Sequence, residues 1–174
     1  NEFGRIDILI NNAGSSIRKR PEDLTSEDFR WVLETNLTSA FLCSQSVYPV
    51  LKKAGGGKII NIGSMYSLFG APAVTAYAVS KGGLVQMTKS LATAWAQDRI
   101  QVNAILPGWI DTELTQNARE QIDGLYERQL ARIPDGRWGT PEDHEGIAIF
   151  LASSASNYIT GTAIPVDGGF SISG

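Results

Sequence analysis

Residues 6–14 read IDILINNAG, and this stretch decides the fold class. A short run that is apolar almost throughout and ends in a turn of small residues is typical of a buried strand in a parallel sheet. We therefore predict a strand over residues 7–11. Three further apolar runs predict strands at 58–62, 100–106 and 163–166.

Helical segments separate these strands. Thr25 or Ser26 begins a predicted helix that runs to about residue 53, with apolar residues near a 3.6-residue period. A second helix, over 75–97, carries small residues that allow close packing. Strands and helices that alternate predict an α/β fold with a parallel sheet and helices on both of its faces.

Two further helical segments follow in the C-terminal third of the chain. Residues 111–132 are polar and amphipathic, and we expect them to lie over an open site. Pro141 begins a helix that runs to about residue 151, because proline is favoured in the first turn. No repeat or linker divides the sequence, so residues 1–174 are predicted to form a single domain.

Composition excludes several classes of function. The net charge is -3, from 15 basic and 18 acidic residues, so no strong field favours nucleic acid or a membrane surface. Cys43 and His144 are the only residues of their types, which excludes an intrachain disulfide and a multi-histidine metal site. No leader sequence and no apolar run of about 20 residues is found, and a cytoplasmic location is therefore expected.

The candidate chemistry lies in loops at the carboxyl ends of the strands, where ligands of parallel sheets bind. Tyr77 and Lys81 are four residues apart on a predicted helix and so share one face. A nearby ammonium favours a phenolate, which would lower the pKa of Tyr77 and suit it to acid–base catalysis. Ser64 follows a strand and can orient a carbonyl oxygen, and Asn36 can hold a water that passes protons to Lys81.

Each of these residues alone has a simpler interpretation as a loop serine, a polar helix residue or a solvated Tyr–Lys pair. Their combination and order resemble the short-chain dehydrogenase/reductase family. The resemblance rests on Asn11-Asn12-Ala13-Gly14, on Ser64 followed by Tyr77-Ala78-Val79-Ser80-Lys81, and on Pro107-Gly108 with Thr112. Asn36, Gly161 and Val166-Asp167-Gly168-Gly169 also match, so the similarity covers nearly the whole chain.

The resemblance implies an enzyme that uses NAD or NADP to interconvert an alcohol and a carbonyl. It implies a catalytic tetrad in which Tyr77 exchanges a proton, Lys81 lowers the pKa of Tyr77 and binds the nicotinamide ribose, Ser64 orients the substrate and Asn36 supports the proton relay. The cofactor-binding residues implied are Asn11, Ala13, Gly14, Tyr77, Lys81, Pro107, Gly108, Ile110 and Thr112. No metal site is implied.

The resemblance also suggests a substrate class. Residues 136–141 and 150–154 are similar to the branch of the family that acts on sugar acids and polyols, such as gluconate or deoxygluconate dehydrogenases. Residues 111–132 would form a lid over the substrate. Its Arg119, Arg128 and Arg132 could meet a substrate carboxylate, although charges on a solvated helix are the favoured interpretation. The expected partner is a small-molecule substrate.

The sequence departs from the family at its start, because the glycine-rich turn that cradles the pyrophosphate is not found. We therefore expect a truncated Rossmann-like doubly wound sheet that lacks the N-terminal βαβαβ nucleotide-binding units. Cofactor binding is then impaired, and one alternative is that this chain binds none. The strand at 7–11 becomes a sheet edge, which favours a homo-oligomer, a dimer or tetramer, formed by the long helices or by edge pairing.

Two other functions stay open at this point. A carboxylesterase-like hydrolase could reuse Ser64, Tyr77 and Lys81 without a cofactor, although residues 63–67 lack the closing glycine of a nucleophile elbow. An inactive fragment that only self-associates is the other alternative.

His144 is interpreted as a surface residue on a remote helix and Cys43 as a packed small hydrophobe. Trp31 and Trp95 are assigned to packing, and Trp109 and Trp138 also to the substrate mouth.

Overall fold

A computed structural model describes residues 3–173. Its sheet has four parallel strands in the order β1-β2-β3-β4, with Leu9 opposite Ile59 and Ile59 opposite Val102. The strands are β1 (Ile8–Asn11), β2 (Gly57–Ile62), β3 (Ile100–Pro107) and β4 (Ala163–Val166). The predicted α/β class with a parallel sheet is confirmed, and each strand lies within a residue of its predicted bounds.

Six α-helices connect the strands. They are α1 (Ser26–Leu33), α2 (Ser39–Lys53), α3 (Thr75–Trp95), α4 (Glu113–Gln121), α5 (Leu125–Leu130) and α6 (Glu145–Ala152). Short 3-10 turns occupy Pro21–Asp23, Met65–Ser67, Ala96–Asp98, Pro141–His144, Ser154–Ser156 and Phe170–Ile172. Within residues 3–173, none of the helices has both the length and the apolar character needed to cross a bilayer.

The first long helix begins where the sequence predicts but is not α-helical throughout. Thr25 is its N-cap and accepts a hydrogen bond from the Asp28 backbone N–H, while Asp28 accepts one from the Thr25 backbone. A π-helical turn, Glu34–Thr38, then separates α1 from α2. Such turns occur often at functional sites, and this one contains Asn36.

The core fills both faces of the sheet, as a parallel sheet requires. Ile59 packs with Leu51 under α2 and α3, whereas the next residue, Ile60, packs with Leu151 of α6. Successive strand residues point to opposite faces, so helices cover both sides of β2. Gly83 of α3 allows close helix packing as predicted, because a Cβ there would lie 2.9 Å from Leu37 Cδ2.

The edge strand is less well covered than the rest of the sheet. Ile8 and Ile10 of β1 are 42% and 49% exposed, in contrast to the buried β2 and β3.

The prediction that Cys43 is packed inside is wrong, because its side chain is exposed on α2. Trp31 is also half exposed, so the prediction that it mainly packs is only partly met.

The predicted helical stretch at 111–132 contains two helices, α4 and α5, which we call the lid. Gly124 breaks the stretch with a left-handed backbone at φ +66°, a conformation that glycine adopts without strain. The loop before the lid is anchored by a backbone bridge between Ile110 and Gly139. That bridge brings the Pro141–His144 turn close to the loop that leads into the lid.

Candidate active site

Ser64 and Tyr77 stand where two cavities meet. A large cleft of about 450 Å³ is also lined by Gly14, Lys81 and Thr112. A small cavity of about 70 Å³ is lined by Ser16, Arg18, Tyr66, Trp109 and Phe170, besides Ser64 and Tyr77. The structure therefore gives the two predicted reactive hydroxyls access to two separate spaces.

A turn after β2 brings Ser64 back over α3. Ser67 in that turn accepts a hydrogen bond from the Ser64 backbone N–H at 3.2 Å and donates one to the Lys81 carbonyl at 2.9 Å. The Ser64 hydroxyl accepts from the Tyr66 backbone N–H at 3.2 Å. Thirteen residues of chain thus return Ser64 to the helix that carries Tyr77, as the sequence suggested.

Tyr77 does not have the lowered pKa that the sequence predicted, and that prediction is wrong for the protein alone. Burial raises the pKa of the phenol, and this effect outweighs the hydrogen bond from Ser64, which lowers it. The Lys81 ammonium lies 5.7 Å from the centre of the Tyr77 ring and donates its hydrogen bond to the Ile62 carbonyl.

Lys81 lies at the base of the large cleft and is only 4% exposed. Its ammonium donates a hydrogen bond to the Ile62 carbonyl at 2.7 Å. Burial lowers the pKa of this amine from 10.5 to about 8. Gly14 leaves room beside it, because a Cβ at Gly14 would lie 3.3 Å from the Lys81 Nζ and 3.7 Å from the Asn36 Oδ1.

Asn36 fixes the loop that follows β1. Its Oδ1 accepts from the Ser15 backbone N–H at 2.8 Å, and its Nδ2 donates to the Ser15 carbonyl at 2.9 Å and to the Ser80 hydroxyl at 3.0 Å. The predicted role in a proton relay stays a prediction. What the geometry provides is a clamp between the first loop and α3, at Ser80, the residue before Lys81.

Most of the predicted cofactor-binding residues share the large cleft. Those that line it are Gly14, Tyr77, Lys81, Pro107, Gly108, Ile110 and Thr112, whereas Asn11 and Ala13 do not. The amide of Asn11 instead donates to Asn61 at 2.8 Å and to Ser44 at 3.1 Å, and Asn61 donates to Thr88 at 2.8 Å. This network, which the sequence analysis missed, ties β1 to β2, α2 and α3. An asparagine inside an apolar strand, Asn61, was its signal.

His144 was placed wrongly by the sequence analysis. It is not remote, because the Pro141–His144 turn brings it to the wall of the large cleft, where Asn12 and Pro141 also lie. No local pattern indicates this placement, because the bridge that carries the turn to the cleft joins Ile110 to Gly139, which are distant in sequence.

Arg18 brings a positive charge to the small cavity, and the sequence analysis missed it. Burial raises the pKa of Tyr66, and the charge of Arg18 opposes burial at both Tyr66 and Tyr77. Among residues 3–173, no carboxylate lies within ion-pair distance of Arg18, by contrast with Arg119, which pairs with Asp111.

Two of the three arginines predicted in the lid lie over aromatic rings, and the third, Arg128, is exposed. Arg119 lies 5.0 Å from the centre of the Trp138 ring, and Arg132 lies 4.3 Å from that of Phe170. Trp138 packs on Trp109, which lines the small cavity. Across the described residues 3–173, no three His, Cys, Asp or Glu side chains are grouped to hold a metal ion.

Comparisons with known proteins agree with this arrangement. A family model described as enoyl-(acyl carrier protein) reductase matches residues 1–171. The chain is 46% identical over 170 residues to 2-dehydro-3-deoxy-D-gluconate 5-dehydrogenase of Dickeya dadantii, covering 97% of this chain and 67% of that protein. The enzyme of the same name from Bacillus subtilis is 46% identical over 169 residues, covering 97% of this chain and 66% of that protein.

Solved structures give the same result. A gluconate 5-dehydrogenase from Burkholderia cenocepacia, in complex with NADP and tartrate, superposes with a TM-score of 0.95 at 37% identity, covering 98% of this chain and 67% of that chain. The chain thus spans about two thirds of the length of the relatives it matches. None of these comparisons supports the hydrolase alternative. The chain belongs to the short-chain dehydrogenase/reductase family.

Proposed function

We propose that this protein is an NAD(P)-dependent oxidoreductase that interconverts an alcohol and a carbonyl on a hydroxylated carboxylic acid of the sugar-acid class. One observation carries the proposal. Ser64 and Tyr77 stand at the junction of two cavities, one with Lys81 at its base and the other with the charge of Arg18. A hydride donor and an acidic substrate can therefore approach the same pair of hydroxyls from two sides.

The residues of the large cleft fit the nicotinamide end of a dinucleotide. The cleft has a volume of about 450 Å³, Gly14 leaves space beside the Lys81 ammonium, and Lys81 has further N–H donors besides the one used by Ile62. Lys81 would hold the ribose hydroxyls, and Ile110 and Thr112 would hold the carboxamide. When bound, the cofactor supplies or accepts the hydride. The choice between NAD and NADP is left to experiment.

The protein then needs only to position the substrate carbonyl and to exchange one proton with it. Ser64 donates a hydrogen bond to the substrate carbonyl oxygen and holds it beside Tyr77. Tyr77 gives its proton to that oxygen during reduction and takes it back during oxidation. Because burial raises the pKa of Tyr77, the resting phenol is protonated and ready for reduction. Asn36 and Lys81 fix the positions of these groups.

Arg18 supports the choice of an acid as substrate. A guanidinium binds a carboxylate through two parallel N–H donors, and Arg18 lines the same small cavity as the reactive hydroxyls. The relatives from Dickeya dadantii and Bacillus subtilis are named as dehydrogenases of a sugar acid. The Burkholderia cenocepacia structure contains tartrate, which is a hydroxylated acid.

The experiment is a screen of sugar acids with NAD and NADP, followed by three variants. Tyr77→Phe should lower kcat by roughly 100-fold to 10,000-fold, because it removes the transferable proton. Ser64→Ala should also lower kcat. Arg18→Gln should raise KM for acids more than for uncharged alcohols. Tyr158→Phe, a change at a fully exposed tyrosine, is the matched control. A Tyr77→Phe protein as active as the Tyr158→Phe protein would refute the proposal.

Two further predictions from the sequence remain proposals. Weak cofactor binding by this chain is tested by calorimetry with NAD and NADP, and micromolar affinity for either refutes it. Association of copies is supported by exposed apolar side chains on α2 and α3, including Phe41, Leu42 and Val79. Light scattering that gives a monomer mass at working concentration refutes it.

A further inference from the structure

Ser16 is a buried hydroxyl that the mechanism above leaves unused. Its Oγ is shielded from solvent and has no hydrogen-bond partner within residues 3–173. A buried hydroxyl without a partner is unfavourable for folding, and such groups in a native protein call for an explanation. Ser16 lines the small cavity together with Ser64, Tyr77 and Arg18, so the explanation lies beside the reaction centre.

The backbone around Ser16 is held at both ends. On one side, Asn36 binds the N–H and the carbonyl of Ser15. On the other, the Lys19 backbone N–H donates to the Ala73 carbonyl at 3.1 Å, and the Lys19 ammonium donates to Asp28 at 2.7 Å. Because the backbone is held, the Ser16 hydroxyl moves only by rotation about the Cα–Cβ bond. The staggered positions about that bond let the hydroxyl turn toward a ligand in the cavity.

The chemistry of this group selects a neutral polar partner. A serine hydroxyl is one donor and an acceptor, so it can both donate a hydrogen bond to a substrate hydroxyl and accept one from it, while Arg18 binds the carboxylate. The cavity of about 70 Å³ is small, so a hydroxyl that reaches Ser16 while the carbonyl oxygen meets Ser64 belongs to a carbon close to the reacting carbon.

We propose that Ser16 is a specificity-determining residue that binds the hydroxyl on the carbon next to the reacting carbon. The inference rests on the proposed function and narrows its substrate to α-hydroxy ketones and the matching vicinal diols. Simple ketones and acyl chains without that hydroxyl would leave Ser16 unpaired at the moment of reaction. A site built around a hydroxyl rejects analogues that lack it for this reason.

The test compares two acids that differ by one hydroxyl next to the ketone, 5-hydroxy-4-oxopentanoate and 4-oxopentanoate. The wild-type protein should prefer the hydroxylated acid in kcat/KM by about tenfold or more. Ser16→Ala should lose that preference by lowering kcat/KM for the hydroxylated acid, while the value for 4-oxopentanoate stays within about twofold. An unchanged preference, or an equal fall for both acids, overturns the inference.

Thermal melting separates this role from a structural one. Ser16→Ala should melt at the same or a higher temperature, because the hydroxyl it removes has no partner. Ser156→Ala is the matched control, since the buried Ser156 hydroxyl donates to the Leu151 carbonyl and accepts from Lys58. It should melt at a lower temperature and keep the substrate preference. A loss of melting temperature in Ser16→Ala as large as that in Ser156→Ala overturns the inference.

Binding of the same two acids, measured by calorimetry, distinguishes failure of this inference from failure of the proposed function. One outcome is that neither acid is turned over while the wild-type protein binds the hydroxylated acid about tenfold more tightly than 4-oxopentanoate and Ser16→Ala does not. In that case the proposed function fails and the role of Ser16 stands. If wild-type and Ser16→Ala proteins bind the two acids in the same ratio, the role of Ser16 fails whatever the turnover.

Discussion

The reaction centre and the lid are held by different forces. Around Tyr77 the supporting groups are buried, and Asn36 and Lys81 bond to backbone carbonyls at 2.9 and 2.7 Å. The lid is held by Ala118 and Leu125, which are buried against an apolar cluster that includes Trp138, and at its surface by Arg119, which pairs with the partly exposed Asp111 and lies over Trp138. Bonds between partly exposed charges are weak in water, whereas broken buried bonds are costly.

The difference teaches which part of the site can move. Residues that hold a proton or a carbonyl must keep their geometry within fractions of an ångström, and buried bonds supply that rigidity. Elements that cover a substrate must open, and they belong to the less stable part of a fold. We expect the lid, α4 and α5, to open while α3 and the π turn keep their structure.

The largest expected effect comes from breaking the buried clamp. Asn36→Ala leaves the partly buried backbone N–H and carbonyl of Ser15 and the buried Ser80 hydroxyl without the Asn36 amide, so the free energy of unfolding should fall by roughly 3 kcal/mol. Urea denaturation measures this. Asn117→Ala on the lid, where the asparagine is exposed, is the control and should change stability by less than about 0.5 kcal/mol. Equal effects of the two changes would contradict the comparison.

A smaller effect, of about 2 kcal/mol, should come from pH through Lys81. Burial lowers the pKa of the folded amine to about 8, from 10.5. Between these two values the unfolded chain binds a proton that the folded protein does not, so stability rises with pH. From pH 8 to 9.5 the wild-type protein should gain about 2 kcal/mol relative to Lys81→Met, at roughly 1.4 kcal/mol per pKa unit.

Denaturant unfolding of both proteins across that pH range makes the measurement. The difference between them removes the contribution of every other titrating group. A difference that stays flat, or that falls as pH rises, would show that the Lys81 ammonium is not desolvated by its position at the base of the cleft.

The smallest effect should come from the lid. Arg119→Ala removes the ion pair with Asp111 and the contact with the Trp138 ring, which together contribute about 1 kcal/mol. Amide hydrogen exchange over residues 113–130 should become about fivefold faster, because opening becomes easier by that amount. Arg128→Ala, an exposed change on the same lid, should leave the exchange rate as it is. Faster exchange in α3 as well would erase the distinction between the two regions.

Much of the fold was predictable because its signals are local. Each strand was an apolar run bounded by turn residues, and Thr25 and Pro141 act through their own backbone neighbourhoods. The π turn at Glu34–Thr38 was not predictable, because its sequence has the same period as the helices on either side. The exposure of Cys43 was also missed, since one residue on a long helix is placed by packing rather than by type.

The site divides in the same way. Ser64, Tyr77 and Lys81 could be predicted from their order and from their resemblance to the family's motifs, and an interval of four residues on a helix places Tyr77 and Lys81 on one face. Arg18, His144 and the network from Asn11 to Thr88 could not be named, because their neighbours are distant in sequence. The pKa of Tyr77 was predicted in the wrong direction for the same reason. Burial, which a sequence does not give, dominates the shift.

The sequence by itself determined the alternation of strands and helices and the parallel sheet, because these follow from local periodicity and from residue type, and its resemblance to family motifs predicted the reactive residues. Only the tertiary structure decided that Ser64 and Tyr77 line two cavities, that Arg18 and Ser16 line the smaller one, and that Lys81 is buried. Cavities and burial arise from the packing of segments far apart in the chain, and it is burial that sets the charge on a lysine or a tyrosine.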